Sequence, residues 1–266
     1  MIITTGGKAR SHLRSRAREL GMELGIKYIE RSNQSIEKLL EMTGEGIVVV
    51  EKERIKLYAQ SDEDPIFFHP NSSMFRIKRL QKGEDDPLIR NTGLQEGMSF
   101  LDCTLGWASD SIVAAYVVGE GGKVVGIEGS PTISLLTKIG LKLYQHENWN
   151  MVQAMRSIDV QEGNHLPYLE KLETDSFDVV YFDPMFEESI LSSDGINPLK
   201  KHAIYETMTE KGIEEAKRVA RKRVVLKDHW KSKRFERFGF KVEKRKTSAF
   251  HFGHIDLVSD TSDKDC

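Results

Sequence analysis

At 266 residues the chain can hold one large α/β domain and a small appendage, and 39% apolar with 30% charged residues is a soluble globular composition. No window approaches the ~18 uninterrupted apolar residues of a membrane span, and a net charge of −2 argues against a generic polyanion binder. Cys103 and Cys266 make no disulfide framework and no Cys/His spacing suggests zinc, so a reducing, cytoplasmic setting without a metal is expected.

The N-terminal MIITTGGKARSHLRSRAREL is basic but lacks the apolar region of a secretory signal. Ala17, Leu20, Leu24 and Tyr28 recur at helical spacing, and Ile36, Leu39 and Leu40 follow Ser35 as an N-cap. Gly46 to Gln60 predicts a β-hairpin with Glu51, Lys52 and Glu53 at its tip, and Pro65 to Pro70 a short strand closed by proline. A small α+β extension, available for substrate binding, is expected over residues 1–80. A linker over 81–94 follows, where Asp86-Pro87 favours a turn.

From residue 95 strands and helices alternate. Met98 to Cys103 predicts a buried strand ending near Asp102; Thr104, Gly106, Ala108 and Ser109 form a small-residue turn, and Asp110 and Ser111 suit the N-cap of the next helix. That geometry brings a ligand against backbone N–H groups at a helix N-terminus, and Gly106 suits either a close approach or a positive φ. Such turns are also common as plain structure. The next strand, Lys123 to Glu128, ends in an acid 22 residues after Gly106, near the spacing at which a βαβ unit sets a carboxylate on ribose hydroxyls. Together these features point to an adenosine-containing cofactor.

Pro131 opens helices over 131–157, Ser157 to Gln161 gives a third strand, and a short helix covers His165 to Leu172. Ser176 to Asp183 is a continuous apolar strand that delivers Asp183, Pro184 and Phe186 to the sheet edge where ligands bind in open α/β folds. A carboxylate, a rigid carbonyl and an aromatic face suit an exocyclic amine; the structural alternative is that Asp183 caps a turn and Phe186 is core. A helix over 202–221, a strand Arg223 to Lys227 and a hairpin from Phe240 to Val258 complete a mostly parallel doubly wound sheet, and 259–266 reads as a disordered tail.

Charge is uneven. Between Lys217 and Lys246 there are 14 Lys and Arg residues against Asp228, Glu236 and Glu243, with Trp230, Phe235 and Phe238 interleaved. Further basic runs span Lys8 to Arg18 and Phe75 to Lys82. Each run alone reads as a solvated face; together they favour a nucleic-acid partner.

In order, DCTLGWASD, IEGSP, DVVYFDPMF and KRVVLK resemble the small-subunit ribosomal RNA guanine-N2 methyltransferases of the J type, over residues 65 to 258. The resemblance implies a Rossmann-like class I methyltransferase using S-adenosyl-L-methionine on RNA. It assigns Asp102, Thr104, Gly106, Asp110, Ser111, Glu128, Gly129 and Asn164 to the cofactor. Asp183, Pro184 and Phe186 would hold the target amine, and Arg76, Lys78, Arg79 and Lys227 would meet the substrate. Two departures stand out: Ala108 replaces the second loop glycine, which disfavours a pyrophosphate ligand, and Glu187-Glu188 follow DPMF where the family is basic. A small-metabolite methyltransferase and a non-catalytic RNA-binding protein with this fold are the alternatives.

Overall fold

The computed structural model describes residues 1–7, 9–52, 54–59, 64–70, 72–184, 208–245 and 248–257. Two compact units divide the chain, Met1–His69 and a second beginning at Pro70.

In the first unit β1 (Ile2–Thr5) is flanked in parallel by β2 (Lys27–Tyr28) and β3 (Ile47–Val50). Antiparallel β4 (Ile55–Tyr58) and β5 (Ile66–Phe67) continue the sheet, giving the order β2-β1-β3-β4-β5. Helix α1 (Ser11–Leu24) ends at Gly25 in the left-handed region, so Tyr28 falls in β2 rather than on the helix its spacing predicts. Helix α2 (Ile36–Thr43) starts as expected, with the Ser35 hydroxyl accepting the Lys38 N–H at 3.1 Å.

The second unit opens with α3 (Ser73–Gln81) and α4 (Pro87–Thr92). The expected boundary at residue 80 is therefore displaced, and part of the expected linker is helical. The Asp86 side chain caps α4 by accepting the Leu88 N–H at 3.0 Å, and Pro87 occupies the first turn, where its missing N–H costs nothing.

A seven-stranded sheet follows: β6 (Ser99–Asp102), β7 (Lys123–Glu128), β8 (Ile158–Glu162), β9 (Phe177–Phe182), β10 (Ala220–His229), β11 (Lys241–Glu243) and β12 (Phe250–Asp256). Its order is β11-β12-β10-β9-β6-β7-β8. Strands β6 to β10 are parallel, and the C-terminal hairpin inserts β12 antiparallel to β10. Helices α5 (Ser109–Val118), α6 (Pro131–Leu143), α7 (Trp149–Arg156), α8 (His165–Leu169), α9 (Glu210–Val219) and α10 (Arg234–Arg237) join them. The segment 202–207, part of the helix expected over 202–221, lies outside the described residues, as does the tail 259–266.

The central strands are buried on both faces and read as continuous apolar runs, which is why they were legible as parallel strands. Leu101, Ile127, Phe182 and Leu226 pack with Ile213 of α9 and with Phe235, Phe238 and Phe240. From β6 the chain runs outward to β7 and β8, then crosses to β9 on the other side. The carboxyl ends of β6 and β9 thus form the crevice where such sheets bind ligands.

Candidate active site

Asp102 ends β6 and is buried. One carboxylate oxygen, Oδ1, accepts the Thr104 N–H at 3.0 Å; the other, Oδ2, accepts the Ser111 hydroxyl at 2.6 Å. Burial pushes its carboxyl up to about 7, against these two donors. The Thr104 hydroxyl accepts the Asp183 N–H at 2.6 Å and so ties the ends of β6 and β9 together.

Glu128 ends β7. Its two oxygens accept the N–H groups of Gly106, at 2.9 Å, and Ser130, at 2.8 Å. Burial raises its pKa even so. Gly106 has φ +51°, with no heavy atom within 4 Å of where a Cβ would stand, so backbone conformation and not crowding calls for glycine. Gly163, whose N–H donates to the Glu128 carbonyl at 2.9 Å, borders open space in the same way. Gly129 follows Glu128, and Asn164 is exposed at the N-cap of α8.

The helix after the turn departs from expectation. The cap position is Ala108, at φ 59° and ψ 23°, in the left-handed region where a glycine is at ease. Asp110 and Ser111 are not caps. Ser111 serves Asp102, and Asp110 is the buried centre of an ion network.

That network alternates in sign. Arg76 donates to both Asp86 oxygens at 2.8 Å and also to Asp110. Lys227 Nζ reaches Asp110 Oδ2 at 3.0 Å and Asp183 Oδ2 at 2.6 Å, and the Tyr181 hydroxyl donates to Asp110 Oδ2 at 2.8 Å. Burial opposes ionisation throughout. The partners win: Arg76 and Lys227 are raised, and Asp110 is held well below the usual carboxylate range. Asp183 differs, because burial outweighs Lys227, with Asp110 repelling it, and lifts its carboxyl to about 6. Its side chain keeps 25% exposure, open to the crevice.

The predicted residues Asp102, Thr104, Gly106, Glu128 and Asp183 thus converge, with Pro184 buried beside them. Two of the expected substrate contacts, Arg76 and Lys227, are paired with carboxylates of the chain itself. Arg76 is turned inward onto carboxylates, and Lys227 is committed to Asp110 and Asp183 rather than to a phosphate. Lys78 and Arg79 remain on the exposed face of α3, Arg79 paired with Glu84 at 2.7 Å. Phe186 lies outside the described residues. Asp86 and Tyr181 were not foreseen. Tyr181 carried a signal, since it sits two residues before Asp183 and shares its side of β9.

Over residues 34–248 the sequence matches the family described as "Putative SAM-dependent methyltransferase". The chain belongs to this family of S-adenosylmethionine-dependent methyltransferases. It is 48% identical to the uncharacterized protein YpiP of Bacillus subtilis over 254 residues, which cover 96% of this chain and 98% of that protein. It is 32% identical to ribosomal RNA small subunit methyltransferase J of Coxiella burnetii over 106 residues, 39% of each chain. Its fold matches, over the full length of both chains, the crystal structure of the SAM-dependent methyltransferase NGO1261 from Neisseria gonorrhoeae, at TM-score 0.61 and 16% identity.

The methyltransferase crevice suits its cofactor. Gly106 and Gly163 border open space on either side of Glu128, and the two cations that reach the first turn of α5, Arg76 and Lys227, are both committed to Asp110. Burial is the first cause of the raised pKa values of Asp102, Glu128 and Asp183, so a bound cation such as a sulfonium would favour their ionised forms. Among the described residues no group of three His, Cys, Asp or Glu side chains could hold a metal ion, and no helix is long and apolar enough to cross a membrane.

Proposed function

We propose that this methyltransferase modifies an exocyclic amine of a nucleobase, specifically N2 of guanine in ribosomal RNA. The observation that carries the reading is Asp183, a half-open carboxylate at the crevice, pinned by Lys227 and followed by a proline-fixed carbonyl.

S-adenosylmethionine, when bound, supplies an electrophilic methyl group on a sulfonium sulfur. On this reading Glu128 accepts the ribose hydroxyls with its remaining lone pairs. Asp102, Thr104, Gly106 and Gly129 line the methionine and ribose side, and Asn164 meets the adenine edge. Asp110 and Ser111 act one step back, holding Lys227 and Asp102. The target amine donates one N–H to Asp183 and one to the carbonyl at Pro184, which fixes its nitrogen for attack. As nitrogen gains the methyl group it becomes cationic, and Asp183 accepts the proton it loses. A carboxyl at about 6 is better matched to that transfer near neutral pH than an ordinary aspartate.

The similarity to methyltransferase J and the exposed basic surfaces support RNA as acceptor. The test compares modified nucleosides of small-subunit ribosomal RNA from cells with the protein, without it, and with Asp183→Ala. One N2-methylguanosine should disappear on deletion and stay absent with Asp183→Ala, although that variant still binds S-adenosylmethionine. An unchanged nucleoside profile, with the labelled methyl group on a metabolite, would overturn the RNA acceptor.

A further inference from the structure

Strand β10 delivers Lys227 to the crevice and ends at His229. The next residue, Trp230, is three positions beyond Lys227, roughly 10 Å farther along the strand direction on the ligand-binding edge. It leaves 53% of its surface exposed, whereas the aromatics that follow it, Phe235 and Phe238, are buried in the core. An exposed indole at the edge of a ligand crevice offers a flat face on which a planar ring can stack.

The turn carrying Trp230 is held rigidly. Its N–H donates to the Ala249 carbonyl at 3.0 Å, anchoring it to the chain between β11 and β12. Behind it the buried Asp228 accepts the His229 N–H at 2.7 Å, the Ser232 hydroxyl at 2.6 Å and Arg234 at 2.9 Å. Arg234 is thereby neutralised, and Arg237 is paired with Glu210 at 2.6 Å. Lys231 and Lys233 have no carboxylate partner among the described residues, and Lys231 Nζ lies 5.2 Å from the Trp230 ring centroid. The surface so formed combines two lysines without a carboxylate partner among the described residues and one exposed indole on an anchored backbone. Its complement is a polyanion bearing flat apolar rings, which is an unpaired stretch of nucleic acid.

We propose that Trp230, with Lys231 and Lys233, is a stacking platform for an unpaired base of single-stranded RNA flanking the target nucleotide. This rests on the RNA reading above. Stacking holds the neighbouring nucleotide while the lysines take its phosphates, so the target base is presented to Asp183 in an extended strand.

Fluorescence anisotropy of a labelled 12-nucleotide single-stranded RNA of mixed sequence tests this with the full-length protein at fixed salt. Trp230→Ala should weaken binding about 10-fold, Trp230→Leu by a similar factor, and Trp230→Phe should retain most of the affinity. Lys231→Ala with Lys233→Ala should lower the slope of log affinity against log salt by about 1.4, for two phosphates on a single strand. Calorimetric affinity for S-adenosylmethionine should be unchanged in every variant, which certifies the fold. If wild-type protein binds the RNA and Trp230→Ala binds it equally well, the platform is wrong and the RNA reading stands. If wild-type protein binds no RNA, both fail. Trp230-dependent binding to phosphatidylserine vesicles in place of RNA would reassign the patch to a membrane surface and overturn the proposal.

Discussion

Lys227 is the cation shared by two carboxylates, 2.6 Å from Asp183 and 3.0 Å from Asp110. Lys227→Met removes the charge and keeps the length of the side chain. Asp110 still has Arg76 and the Tyr181 hydroxyl, but Asp183 is left beside a negative neighbour with no cation. An opposite charge at this range is worth about 1–3 pKa units to a carboxylate. The Asp183 carboxyl should therefore rise from about 6 into the range of roughly 7–9. For a shift of about 2 units the ionised fraction at pH 7 falls from about nine-tenths to about one-tenth, so methyl transfer slows ~10-fold there and recovers above about pH 9. Breaking a buried pair also costs about 3–5 kcal/mol of stability, so the measurement belongs well below the melting temperature. The direct readout is the carboxyl resonance of Asp183 in carbon-13-labelled protein, assigned by its loss in Asp183→Asn and titrated in both proteins. A midpoint that stays at about 6 in folded Lys227→Met would refute the claim that Lys227 sets the charge of Asp183.

Other outcomes follow from the same crevice. Asp102 is about 7 in the fold against 3.8 in the open chain, so the protein should lose of order 4 kcal/mol of stability as pH rises from about 4 to 7. Asp102→Asn, which mimics the neutral acid, should flatten that limb in denaturant melts; an unaltered pH dependence would count against it. Ala108→Gly relieves a left-handed alanine and should stabilise by about 1 kcal/mol, raising Tm by about 2–4 °C in calorimetric scans. Binding of the cationic cofactor should favour the ionised forms of Asp102 and Asp183. Protons are then released and affinity rises with pH through about 6 to 7, which titration calorimetry in buffers of different ionisation enthalpy will detect. Glu128→Ala strands the Gly106 and Ser130 N–H groups and should weaken S-adenosylmethionine binding ~10- to 100-fold by the same method.

The strands of the sheet and their ligand-binding ends were readable because apolar runs and terminal acids are local signals. Asp102, Glu128 and Asp183 all close strands and all face the crevice. The ion network was not readable, since Arg76, Asp86, Asp110, Asp183 and Lys227 come from five separate stretches that only the fold unites. One clue was available for Arg76. Ser73, Arg76, Ile77 and Leu80 recur at the spacing of one helix face, and Ser73 and Ile77 are buried, so the arginine belongs to the inward stripe and not to the basic surface. Residues Phe75, Lys78, Arg79 and Lys82 form the opposite, outward stripe. The conformation of the glycine loop was not readable from residue type. The absent second glycine at Ala108 did not change the backbone, which still adopts the glycine-like conformation.

The surplus of buried carboxyls around Glu128 and Asp102 has a consequence for what the crevice turns away. ATP and the nicotinamide cofactors carry the same adenosine as the methyl donor. A recess built only to fit adenosine would be competed for by all of them. Phosphates brought beside these acids would add repulsion to desolvation, and the nearby cations Arg76 and Lys227 are already held by Asp86, Asp110 and Asp183. The same buried acids that favour a cationic methyl donor thus disfavour adenosine ligands that carry phosphates.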